Sequence, residues 1–340
     1  MAAIQYRQLG KSGLRVSVPV LGAMGFGSSK WLPWIVDEEK GLEILKAAWD
    51  AGINTIDTAN GYSNGESERV IGEFMTKHNI PRENMVIMTK AFMLVSPEDI
   101  SKFTLLDPTL PNTRRFVNQG GLSRISLFHQ VDASLKRLQT SYIDLLQIHA
   151  FDPTTPMEET MKALHDLVIS GKVLYIGACN LKAWHFVEMN NIAERHGWTQ
   201  FVSMQLDHSL LYRPEERELF DYCKAKGIGI LAYSPLKTGA LARPSGSKTT
   251  RTKSQEGTPY EMKLRESDHI IINRVEELAG KHGCSMSQIA LAWSARKTTS
   301  PIVGINAVER VTPSLIDDSI LSEEEIKYLE EPYEYTPHRM

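Results

Sequence analysis

The sequence has little cysteine, almost no charge excess and no long apolar run. Its three cysteines, Cys179, Cys223 and Cys284, are odd in number, widely spaced and without a CxxC pair. That fits neither a disulfide framework nor a structural zinc site, and a reducing compartment is the simplest expectation. Thirty-eight basic residues stand against 41 acidic ones, interspersed, for a net charge of −3. The electrostatic footprint of a nucleic-acid or anionic-membrane binder is therefore missing. Arg7, Lys11 and Arg15 interrupt the N-terminal segment before any signal-peptide core is reached, and no apolar stretch of ~20 residues follows. The closing His338-Arg339-Met340 is no recognised targeting tripeptide. These absences predict a soluble, cytoplasmic protein with neither nucleic acid nor membrane as partner.

What is present is an ordinary globular composition, 42% apolar and 23% charged over 340 residues. Global disorder is excluded. Length alone fits two domains of ~150 residues or one barrel of ~250 or more, so the pattern must decide. Eight short apolar runs recur: Val18–Ala23, Asn54–Asp57, Met85–Lys90, Ile143–His149, Val173–Cys179, Phe201–Gln205, Ile228–Tyr233 and Pro301–Gly304. Between them Leu42/Leu45/Trp49, Val131/Leu135/Leu138, Met161/Leu164/Val168 and Ile271/Val275/Leu278 repeat every three or four residues, the period of an amphipathic helix. Alternating strands and helices require parallel pairing through right-handed crossovers. Eight such units predict an α/β fold of (β/α)8 barrel type as one domain over residues 1–340, with an N-terminal β-hairpin cap. A doubly wound open sheet is the alternative, but Gly22-Ala23-Met24-Gly25-Phe26-Gly27 lacks a helix at the distance a dinucleotide turn needs. Residues 91–121 and 237–267 are too long and turn-rich for simple connections. Both follow strands, so they rise from the C-terminal face of the barrel and read as lids.

Asp57, Lys90 and His149 end three successive strands, and Tyr62 lies in the loop after the first of these. Strand ends at one rim converge. A tyrosine hydroxyl, of ordinary pKa near ~10, works at neutral pH only with a neighbouring cation to stabilise the phenolate. Lys90 can be that cation, Asp57 can supply the counter-charge a buried ammonium needs, and His149 can hydrogen-bond a substrate oxygen or assist proton delivery. The four suit protonation of a carbonyl oxygen. Taken singly each has an ordinary reading: a turn residue, a solvated rim charge, a satisfied core histidine, a packing tyrosine. The joint pattern favours chemistry.

Further motifs stand in order along the chain: Gly52-Ile53-Asn54-Thr55-Ile56-Asp57-Thr58-Ala59 with Tyr62-Ser63-Asn64-Gly65-Glu66-Ser67-Glu68, Thr89-Lys90, Asp144-Leu145-Leu146-Gln147-Ile148-His149, Gly171-Lys172-Val173, Ile176-Gly177, Tyr233-Ser234-Pro235-Leu236 and Pro301-Ile302-Val303-Gly304. They carry a resemblance to the aldo-keto reductases, most closely the fungal-type aryl-alcohol dehydrogenase-like and aldehyde-reductase branch. It implies Tyr62 as general acid, Lys90 and Asp57 tuning it, His149 orienting the carbonyl, and NADPH/NADP+ as cofactor at the C-terminal rim. It further implies Gly22, Ala23, Met24 and Asp57 near the nicotinamide ribose, and Cys179, Asn180 and Gln205 on the carboxamide. Tyr233 would stack on the ring, with Ser234, Pro235, Leu236 and Gly239 along the pyrophosphate. Two departures stand out. Cys179 replaces a common serine, and a thiol is the weaker hydrogen-bond partner. A common lysine-serine pair for the 2′-phosphate falls here on Gly304 and Ile305, leaving Asn306, Arg310 and Ser314, with Arg251 as a second candidate cation. Arg310 offers a planar fork suited to phosphate.

Trp31 and Trp34, with Phe92 and Met93, are candidates for an apolar substrate pocket, against the reading that they only pack long loops. Phe128 reads as helix core, and His185, His196, His208, His269 and His282 as surface or packing residues. The substrate expected is a small carbonyl or alcohol. Two other classes compete: a nucleotide-binding regulatory subunit on the same barrel, and a metal-dependent hydrolase using Asp57, His149 and Asp152. The latter lacks a histidine pair on the first strand, and no metal is expected.

Overall fold

The structure is a computed structural model, described over residues 4–104, 107–247, 249–258 and 261–338, except for the side chains of Thr250 and Arg251. Its strands are β1 (Gln5–Gln8), β2 (Arg15–Val18), β3 (Val20–Gly22), β4 (Phe26–Gly27), β5 (Val36–Asp37), β6 (Thr55–Asp57), β7 (Val86–Ala91), β8 (Ile143–Ile148), β9 (Val173–Cys179), β10 (Ser203–Asp207), β11 (Gly229–Tyr233) and β12 (Ser300–Gly304). Strands β3 and β6 to β12 close into an eight-stranded parallel barrel, β12 returning to β3 through Ile302 opposite Val20. The β1–β2 hairpin is antiparallel, Gln5 opposite Val18.

Two strands depart from the sequence expectation by two residues at a boundary, the others by one at most. Val18 belongs to the hairpin, and Pro19, with no N–H for a ladder, separates it from β3. The sixth barrel strand runs Ser203–Asp207 rather than Phe201–Gln205. The Phe201 N–H is taken by Asn190 Oδ1 at 3.0 Å, and its ring stacks on Phe186, so it packs outside the ladder.

Helices α1 (Glu38–Asp50), α2 (Glu66–Lys77), α3 (Arg124–Arg137), α4 (Met157–Ile169), α5 (Ala183–His196) and α6 (Leu219–Lys226) follow successive barrel strands. A short α7 (Thr250–Gln255), then α8 (Glu266–His282) and α9 (Met286–Lys297), separate β11 from β12, and α10 (Glu323–Glu330) lies near the C-terminus. The expected stripes are buried, as with Leu42 and Leu45 of α1 and Met161 and Leu164 of α4. Phe128 packs, partly buried, against the same core. Serine side chains cap α3, α9 and α10, satisfying N–H groups the helices leave open. Gly72 on α2 fits under α3, where a Cβ would stand 2.6 Å from the Arg137 carbonyl oxygen.

Side chains alternate in and out along each strand. Inward-facing Val20, Met88, Leu145, Leu231 and Ile302 pack with Leu9, Leu14 and Val16 of the hairpin segment, plugging the N-terminal end of the barrel. Two residues further on, the inward positions of β7, β8 and β11 hold Lys90, Gln147 and Tyr233. Apolar filling gives way to a polar layer within one pleat.

Candidate active site

The polar layer is a connected network around Asp57, which is only 4% exposed. Its Oδ2 accepts from Lys90 Nζ at 2.5 Å, and its Oδ1 accepts from Gln147 Nε2 at 3.0 Å and Gln205 Nε2 at 2.8 Å. Lys90, at 1% exposure, spends its other protons on the Thr58 carbonyl (2.9 Å) and, at 3.4 Å, the Tyr62 hydroxyl. Burial favours the neutral amine, yet the adjacent Asp57 carboxylate holds the Lys90 pKa above its ordinary value.

Tyr62 opens a tight turn in which Ser63 (φ 48°) and Asn64 (φ 52°) take left-handed backbone, and Gly65 (φ 95°) caps α2. Asn64 fastens this turn to the first long loop, donating to the carbonyls of Ile100 (3.1 Å) and Lys102 (2.7 Å) and accepting from Ser96 N–H at 3.0 Å. Burial pushes the Tyr62 phenol up to about 12, and the nearby ammonium only partly offsets this. The lysine therefore does not yield a standing phenolate here: desolvation wins, and the hydroxyl keeps its proton at neutral pH. His149 follows β8, its ring edge-on to Tyr62 with centroids 5.7 Å apart. Burial, with the Lys90 charge in second place, lowers its pKa to about 3, so the imidazole is neutral. Its Nδ1 is buried without a hydrogen-bond partner. The sequence left proton delivery open to His149; a neutral ring can orient an oxygen but holds no spare proton.

Around this centre, Gly22 pairs with Asp57 across β3 and β6, and the Ala23 carbonyl accepts from Ser67 Oγ at 2.7 Å. Met24, Trp31, Trp34, Leu32, Ile35, Ile100 and Phe103 form the apolar cluster that receives Tyr62, with Trp31 and Phe103 rings 5.4 Å apart. Met93 packs on Gly61 beside it, whereas Phe92 packs toward the outer core. Asn180 is held between Tyr233, whose hydroxyl donates to its Oδ1 at 2.9 Å, and the His149 carbonyl, 3.4 Å from its Nδ2. Gln205 Nε2 is committed to Asp57 and to Gln147 Oε1 at 3.0 Å, and its Oε1 faces Cys179 Sγ at 3.7 Å. Burial pushes the Cys179 thiol up to about 12.

A second group lies along the rim from β11 to β12. Ser234 (φ 55°), Lys237 (43°), Thr238 (53°) and Gly239 (90°) coil the chain after β11 into a left-handed turn closed by Lys237 N–H on the Ser234 carbonyl at 2.8 Å. Pro235 and Leu236 sit within it. Arg243 lies over Gly239, where a Cβ would stand 2.5 Å from its Nη1. Burial and the proximity of Arg310 lower the Arg243 pKa. Arg310 donates to Asn306 Oδ1 at 2.8 Å, Ser314 Oγ donates to the Arg310 carbonyl at 2.8 Å, and Gly304 is open above β12. Neither arginine has an ion-pair partner among the described residues. The Arg251 side chain lies outside the described residues.

The Aldo/keto reductase family model matches residues 20–334. The chain belongs to that family. It is 46% identical to an aldo-keto reductase of Fusarium vanettenii over 98% of this chain and 92% of that one. It is 46% identical to the versiconal hemiacetal acetate reductase of Aspergillus parasiticus over 97% of each chain. A Schizosaccharomyces pombe chain provisionally named an aryl-alcohol dehydrogenase is 47% identical over 96% of this chain and 95% of its own.

Aldo/keto reductases use a nicotinamide cofactor, and the residues here fit one. Two guanidiniums brought together without a carboxylate among the described residues suit a bound phosphate, and His149, ring edge-on to Tyr62, keeps a buried nitrogen without a partner. Gln147, Lys237 and Arg243 were not anticipated from the sequence. Gln147 stands two residues before His149, and strand alternation from Leu145 points it inward. Lys237 pairs with Asp207 at 2.8 Å, a contact hidden by the strand shift at β10. Arg243 carries no motif. Asp152 holds the first loop instead of a metal, accepting from Leu122 N–H (2.8 Å) and both Thr154 and Thr155 hydroxyls. No group of three or more His, Cys, Asp or Glu side chains suited to a metal forms among the described residues. None of their helices is long and apolar enough to cross a membrane. His208 stacks on Trp293 and bonds Glu216, and His185 stacks on Phe151, packing roles in both cases.

Proposed function

We propose that this single-domain, cytoplasmic member reduces aldehydes or ketones to alcohols with NADPH, reversibly, with Tyr62 as general acid. The observation that carries this is the buried Asp57–Lys90–Tyr62 chain beside a neutral His149. Bound NADPH, held along Gly22 to Met24, Asn180, Tyr233, the Ser234–Gly239 turn and Arg243 with Arg310, supplies the hydride.

His149 donates a hydrogen bond to the carbonyl oxygen and fixes its place beside the phenol. Tyr62 passes its proton to that oxygen, and the charge left on the phenolate is met by Lys90 Nζ, already aimed at it. Asp57 keeps Lys90 charged in a dry site, and Gln147 and Gln205 hold the carboxylate in orientation. Because Gln205 Nε2 is so committed, carboxamide recognition passes to Asn180 and to Gln205 Oε1. Trp31, Trp34, Phe103 and Met93 give the mouth an apolar wall fit for an aromatic carbonyl compound.

Tyr62→Phe tests the reading. A positioned acid contributes about 100- to 10,000-fold, so turnover should fall by that order while NADPH binding, followed by its fluorescence, is unchanged. Undiminished turnover would refute the assignment.

A further inference from the structure

The strands that end at the polar layer begin, on the opposite face of the barrel, at a second cavity. It has a volume of about 460 Å³, within the range of small-molecule sites. Its walls come from the starts of β9 (Leu174, Tyr175), the residues entering β10 and β11 (Val202, Ile228), helices α5 and α6, and the hairpin turn at Lys11. Along β9, Leu174 and Tyr175 stand four to five residues before Cys179 and place the cavity about 13–17 Å from the catalytic end. Nothing in the proposed chemistry uses it.

Three features define what it suits. Tyr175, Trp198 and Tyr222 line it with flat apolar surface. Lys11 and Lys226 border it, neither with an ion-pair partner among the described residues, against the single carboxylate of Glu194. Asn190 reaches in from α5, 5% exposed. Its Oδ1 is used by Phe201 N–H at 3.0 Å, and its Nδ2, buried and without a partner of good hydrogen-bond geometry, makes only a weak polar contact with the Tyr222 hydroxyl. A buried amide donor so weakly held is costly, and an incoming acceptor would improve on that contact. Donors exceed acceptors, and aromatic faces surround them.

We propose that this cavity is a binding site for a planar aromatic carboxylate, its ring among Tyr175, Trp198 and Tyr222 and its carboxylate toward Lys11, Lys226 and the Asn190 amide. The probe is 2-naphthoate, titrated calorimetrically into the full chain, with 2-naphthylmethylammonium as a cation of similar shape. The carboxylate should bind saturably and at least tenfold more tightly than the cation. Reversing both charges, Lys11→Glu with Lys226→Glu, should weaken it at least tenfold, as should Trp198→Ala. Both lysines are exposed, so the charge variant tests the site even where Trp198→Ala fails to fold. No saturable binding, equal affinity for the cation, or wild-type affinity in the charge variant, as occupancy of the catalytic mouth would give, overturns the proposal. The binding readout stands whether or not the chain reduces any carbonyl. Where it does, the charge variant should keep its wild-type rate.

Discussion

Replacing Lys90 by methionine leaves the Asp57 carboxylate buried with no cation. The two side chains are 0% and 5% exposed and 2.5 Å apart, so solvent screening does not soften the loss. Removing one partner of a buried pair costs about 3–5 kcal/mol. The lower end applies here, because Oδ1 keeps its bonds from Gln147 and Gln205. About 3 kcal/mol is a large fraction of the 5–15 kcal/mol that typically separates folded from unfolded chains. Converting the orphan to an amide, Lys90→Met with Asp57→Asn, should recover at least half of it, since no uncompensated charge remains. Guanidinium unfolding followed by circular dichroism gives the comparison, provided the slopes of the three transitions agree. A single variant losing under about 1 kcal/mol, or a double variant no more stable than the single, would refute the view that this ion pair is dry and mutually dependent.

The pKa directions bear on pH. With Tyr62 raised to about 12 and His149 lowered to about 3, neither titrates between pH 5 and 9, so kcat for reduction should be flat there; a step near pH 6.5 would mean that His149 ionises. The folded His149 resists the proton that the unfolded chain accepts below about 6.5, so stability falls as pH drops from there toward 3. His149→Gln should lose less between pH 7 and 5, as read from urea midpoints. Arg310→Ala and Arg243→Ala should each raise the KM for NADPH several-fold and leave that for NADH nearly unchanged; equal effects on the two would place the guanidiniums elsewhere. Gly72→Ala should destabilise by about 1–3 kcal/mol through overpacking against α3, visible as a lower unfolding midpoint with kinetics unaffected.

The barrel was legible because each strand announces itself by a short apolar run and most helices by one buried stripe. Helix α9 was not, because it has no exposed face to alternate with: Leu291 and Ala295 pack on the barrel while Ala290, Ala292 and Trp293 pack toward α8 and α10. That Asp57, Tyr62, Lys90 and His149 meet could be read because the four lie at or just beyond strand ends, where parity and position suffice. Gln205 was found but its partners were not, since an amide that serves a neighbouring carboxylate looks in sequence like one that serves a ligand. Arg243 escaped for a different reason: it reaches Arg310 only through the fold of a loop whose conformation no periodicity encodes.

The hairpin that closes the N-terminal end of the barrel makes it a vessel with one opening. Leu9, Leu14 and Val16 leave no passage beneath the polar layer, so whatever reaches Tyr62 arrives and departs on the same side. Two reactants that share one mouth must load by depth and unload in reverse. Under the proposed chemistry that means an order of events: the group seated deepest enters first and leaves last, and the alcohol departs before anything beneath it is exchanged.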